Sequence, residues 1–72
     1  MTYAELKLRY PTNAPGAAWY RLSDDELEAD RRVAATFRGA GAGKPESRGG
    51  RRIEGWIVQE LQARAREYSA VA

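Results

Sequence analysis

Residues 38 to 52 read Arg-Gly-Ala-Gly-Ala-Gly-Lys-Pro-Glu-Ser-Arg-Gly-Gly-Arg-Arg and hold five of the chain's seven glycines and five of its twelve basic residues. They interrupt a sequence that otherwise favours helix. Glycine loses more backbone freedom on ordering than any other residue, so this density predicts a flexible basic linker at 39–50 between helical segments. Five cations against the single Glu46 call for an anionic partner.

The rest of the chain sets limits on what can surround that linker. Seventy-two residues make one small domain, residues 1–72, burying only about 60% of the unfolded surface. A core of this size gains from a second subunit or a partner, so a homodimer is one expected arrangement. With no cysteine and no histidine, disulfides and the usual zinc ligands are absent, and no metal or cofactor is expected. No apolar run approaches the ~20 residues of a membrane span. The opening Met-Thr-Tyr-Ala-Glu lacks signal-peptide character, so a cytoplasmic protein without membrane contact is expected. The net charge of +2 is uneven: residues 1–37 carry five basic and six acidic side chains, residues 38–72 seven and four. That asymmetry suggests an acidic or nucleic-acid partner.

Two segments open with the same helix-start grammar. Ser23 is followed by Glu26 and flanked by Leu22 and Leu27, a capping box with a hydrophobic staple, and Thr2, Glu5, Met1 and Leu6 repeat it. A helix is predicted over 2–10, ended by Pro11. The alternation of Ala4, Leu6, Leu8 and Tyr10 would also fit a strand, but residues 3–10 contain no β-branched side chain and pair Glu5 with Arg9 at i,i+4. A second helix is predicted over 23–38, ending at Gly39. A third is predicted over 52–69 from the spacing of Ile53, Trp56, Ile57, Leu61, Ala65 and Tyr68. Trp56, Ile57 and Leu61 are its expected core contribution. Pro11 to Gly16 forms a connector, and 17–22 is predicted as a short extended segment. There Tyr20 and Leu22 share one face, and Trp19 and Arg21 the other. The fold class is therefore mainly α, of about three helices.

Catalytic groups are scarce. Without His or Cys a general base would have to be a carboxylate or a lysine, and Asp24, Asp25 and Glu26 are accounted for as helix-start residues. The run Gly39 to Pro45 is superficially similar to a phosphate-binding loop. It has Arg38 where that loop needs glycine and Pro45 where it needs serine or threonine. An enzyme is not expected. Asp30 and Arg64 each interrupt an apolar helix face; charges reaching water at the edge are the favoured explanation, and a partly buried pair between the two helices or an anchor for a partner's opposite charge the other. Arg48, Arg51 and Arg52 stand before the expected third helix, where a helix dipole disfavours cations. They are candidate partner-binding residues together with Trp19 and Arg21.

The passage Trp19-Tyr20-Arg21-Leu22-Ser23-Asp24-Asp25-Glu26-Leu27 resembles the ribbon-into-helix region of ribbon-helix-helix DNA-binding proteins. The resemblance implies a strand pairing with its twin in a dimer and entering the major groove, with Trp19 and Arg21 towards DNA. The long 38–52 segment and the extra residues before Pro11 depart from that family.

These readings converge on the expectation of a small non-enzymatic regulatory protein, phage- or plasmid-encoded, that docks onto a larger macromolecular assembly in gene expression. A protein or nucleoprotein complex is the first expected partner, and nucleic acid through the basic loop the second. A dimeric ribbon-helix-helix-like repressor is the alternative.

Overall fold

Both capping boxes form. In the computed structural model, which describes residues 1–71, Thr2 accepts from the Glu5 amide at 3.1 Å while the Glu5 carboxylate accepts from the Thr2 amide at 2.9 Å. The reciprocal bonds at Ser23 and Glu26 measure 3.2 and 3.1 Å. These amides hold both glutamate carboxyls below the usual carboxylate range. They start helix α1, Tyr3–Arg9, and helix α2, Asp24–Arg38, the latter closing at Gly39. Helix α3 runs Pro45–Val71, and no strand forms among the described residues. The chain is mainly helical, as expected. Leu6 of α1 and Tyr10 at its C-cap are buried while Leu8 is exposed, the i,i+4 pattern of a helix rather than the alternation of a strand.

Helix α3 begins well before the expected Arg52, and residues 45–50 belong to it rather than to a linker. Proline is pre-set for a first helical position, and Ser47 donates its hydroxyl to the Arg38 carbonyl at 2.7 Å, joining the end of α2 to the start of α3. Glycines 49 and 50 serve packing. A Cβ on Gly50 would lie 2.6 Å from the Ala34 oxygen and 2.7 Å from the Arg38 nitrogen, and one on Gly49 would collide with the Tyr3 ring. Tyr3 also donates its hydroxyl to the Pro45 carbonyl at 3.1 Å. Close approach of three helices overrides the low helix propensity of glycine. The connection between α2 and α3 shortens to residues 39–44, where Gly41 and Gly43 take positive φ of 133° and 84°.

The segment expected to be extended at 17–22 is a 3-10 turn, Ala18–Arg21. Three residues per turn place Trp19 and Leu22 on one side, and the alternation argument, which put Trp19 with Arg21, fails for that reason. Trp19 is only 2% exposed. Its indole N–H donates to the Thr12 carbonyl at 2.7 Å, and its ring packs between Tyr10, at 5.2 Å, and Tyr20, at 3.9 Å. The core comprises Leu6, Tyr10, Trp19, Leu27, Ala34, Ile53 and Ile57. Trp56 and Leu61, expected inside, are half-buried at its margin.

Both charges on apolar faces are used within the fold, though not with each other. Asp30, 3% exposed, accepts from Arg9 at 2.7 Å and from the Tyr10 hydroxyl at 2.6 Å. Arg64 donates to the Tyr20 and Leu22 carbonyls and to Asp24 and Glu60, at 2.7 to 2.8 Å.

Candidate anion-binding face

The sequence places Arg48, Arg51 and Arg52 at i, i+3 and i+4, and because α3 already begins at Pro45 they share one helical face rather than a loop. All three are exposed. Together with Ala42, Gly43 and Ser47 they line a concavity of about 380 Å³ between the 39–44 connection and the first turns of α3. The positive φ of Gly43 turns the connection back over those turns, a backbone conformation that side-chain-bearing residues rarely adopt.

At the floor of this concavity Ser47 donates to the Arg38 carbonyl at the end of α2. The cations above it are uncommitted. Five other arginines have carboxylate partners: Arg9 with Asp30, Arg31 and Arg32 with Glu28, Arg38 with Glu54, and Arg64 with Asp24 and Glu60. Among the described residues Arg48, Arg51 and Arg52 have none; Arg21 and Arg66 have none either, but only these three cluster around one concavity. Arg52 instead stacks its guanidinium over the Trp56 ring, 5.6 Å from the centroid, which fixes its direction while leaving its N–H donors free. Three guanidiniums within one and a half turns repel one another, and Arg48, in the first turn of α3, also faces the positive end of its dipole. An anion seated there relieves that repulsion and receives bidentate hydrogen bonds.

Of the five residues singled out in the sequence, the structure brings these three together. Trp19 lies in the core and is withdrawn from any partner surface. Arg21 is exposed, but its segment is fastened to Arg64, three turns further along α3 than Arg52 and thus ~18 Å away at 1.5 Å per residue. Ala42, Gly43 and Ser47 were not singled out. Their role depends on the return of the connection over α3, which the assignment of 39–50 to a linker concealed. The strand implied by the ribbon-helix-helix resemblance is not formed, and its would-be DNA-facing tryptophan is internal.

No helix among the described residues is long and apolar enough to cross a membrane. No protein-family model matches the chain, and no curated protein or solved structure is significantly similar to it.

Proposed function

We propose that this chain is a small non-enzymatic regulatory protein of the cytoplasm that docks onto a nucleoprotein assembly of gene expression through the cationic face at the start of α3. A phage or plasmid origin accords with its size. The observation that carries the reading is the contrast between two sets of arginines. Those at helix junctions are paired with carboxylates, while Arg48, Arg51 and Arg52 stand unpaired, on one face, around one concavity. Folding gives these three no carboxylate partner, and three like charges at i, i+3 and i+4 on one helical face repel one another. A surface of that kind is kept for an external anion.

The experiment is affinity capture from a bacterial lysate with the wild-type chain and with Arg48→Gln/Arg51→Gln/Arg52→Gln, which preserves helix propensity. The expected result is a nucleoprotein complex held by the wild type, released by moderate salt, and lost with the triple variant. Equal capture of the same complex by both would overturn the reading.

A further inference from the structure

Helix α3 contains three glycines, and only two are explained by the fold. Gly49 and Gly50 leave room for Tyr3 and for the backbone of α2. Gly55 is exposed, a Cβ built on it would meet nothing, and its φ is not positive. In the middle of a helix glycine is the least favourable residue after proline, so the missing side chain at 55 has no purpose within the chain. It lies on the same face as the free arginines. At 100° per residue Arg48, Arg51, Arg52 and Gly55 continue into Gln59, Gln62 and Arg66 within a sector of about 100°. All are exposed, and Glu46, Glu54, Glu60 and Glu67 fall outside that sector. The result is a carboxylate-free track about 27 Å long at 1.5 Å per residue, with a gap in its middle where a partner can reach the helix backbone.

Resting on the docking face proposed above, we infer that the partner met by this track is duplex DNA, with α3 lying along a groove edge. The arginines grip phosphates and Gly55 permits close approach of the sugar–phosphate backbone. The chemistry of the face selects this occupant. Its cations are all arginine, whose planar fork suits phosphate. It offers no exposed apolar anchor of the kind that carries protein–protein affinity. It also offers no free aromatic platform for stacking the bases of a single strand, since Trp56 lies half-buried beneath Arg52. The B-form major groove admits an α-helix, whereas the deep, narrow groove of duplex RNA does not. Gln59 and Gln62 supply the amides that hydrogen-bond to phosphates or adenine edges.

The test is fluorescence anisotropy with labelled duplex DNA, the same sequence as a single strand, and the corresponding duplex RNA, over a salt series. Duplex DNA is expected to bind best, with a log–log salt slope of about −3.6 for four phosphate contacts, falling to about −0.9 when Arg48, Arg51 and Arg52 are replaced by glutamine. Gly55→Leu is expected to weaken duplex binding by about tenfold or more, a change of about 1.4 kcal/mol, while raising the melting temperature. That combination cannot arise from misfolding. Binding of duplex DNA that is unmoved by Gly55→Leu, or a preference for single strands or RNA, would overturn the inference. If no nucleic acid binds while the lysate complex is still captured in an arginine-dependent way, the DNA assignment falls and the docking reading stands. If that capture is also lost, both fall.

Discussion

At the scale of single residues, the two tryptophans exchange the roles the sequence suggests. Trp19 is enclosed by Tyr10 and Tyr20 with its N–H satisfied, and Trp19→Ala is expected to cost about 3–5 kcal/mol. Total stability at 0.05–0.15 kcal/mol per residue is roughly 4–11 kcal/mol for this length, so the variant should lose a large share of it and melt far below the wild type when followed by circular dichroism. Trp56→Ala, at a half-buried position, should retain a cooperative transition, and a reversed order would refute this account of the core. The sequence could not show this because the partner of the Trp19 indole, the Thr12 carbonyl, lies in an irregular connector whose path no periodicity encodes. For Asp30 the sequence favours an edge charge reaching water, and the structure corrects this. The carboxylate is buried against Arg9 and Tyr10, which arrive from α1 and its C-terminal end and not from the helix that carries Arg64. Asp30 receives the Tyr10 hydroxyl, and burial, reinforced by that bond, raises the Tyr10 phenol well above its ordinary 10.0. The unfolded chain therefore releases this proton first. The corresponding stability is intact below pH 10 and is lost as pH rises beyond it. Melting temperatures of the wild type should fall more steeply from about pH 10 upwards than those of Tyr10→Phe, and parallel profiles would exclude this tyrosine as the cause.

At the scale of elements, helix α3 shows where local propensity misleads. Capping grammar fixed the starts of α1 and α2 to the residue, since side-chain caps are local chemistry. The start of α3 has no such signature. Its first turns contain two glycines that read as linker, and only the proximity of Tyr3 and of residues 34–38 on α2 reveals them as contact positions. The same residue type then has opposite meanings along one helix. Gly50→Ala pushes a methyl group into the α2 backbone and should destabilise by about 1–3 kcal/mol. Gly55→Ala meets open space and should stabilise by up to about 1 kcal/mol. Chemical denaturation of the two variants checks the assignment. Equal effects would mean that α3 does not approach α2 as closely as 2.6 Å implies. The arginine face shares this history. Its residue types and spacing were readable, but their union into one surface required knowing that the helix already runs through 45–50.

At the scale of the whole molecule, extents of 42 × 20 × 19 Å reflect one long helix, about 40 Å at 1.5 Å per residue, carrying two shorter ones. Charge is divided to match. One arginine fastens each junction: Arg9 joins α1 to α2, Arg38 joins α2 to α3, and Arg64 joins α3 to the 3-10 turn and the start of α2. The remaining charge on α3 faces outwards. Removing arginines from the two sets should therefore have different consequences. Arg64→Met keeps the aliphatic stem but strands two backbone carbonyls and two carboxylates, and should cost about 1–3 kcal/mol, or roughly 4–8 °C of melting temperature per kcal/mol at this size. Replacing Arg48, Arg51 and Arg52 together by glutamine should stay within about 0.5 kcal/mol of the wild type. The shift should tend upwards at low salt, where three like charges on one helical face repel each other most strongly. Differential scanning fluorimetry at two salt concentrations separates the sets. A triple variant that melts lower than Arg64→Met would show that the exposed arginines serve the fold, and would leave the basic face without a claim on any partner.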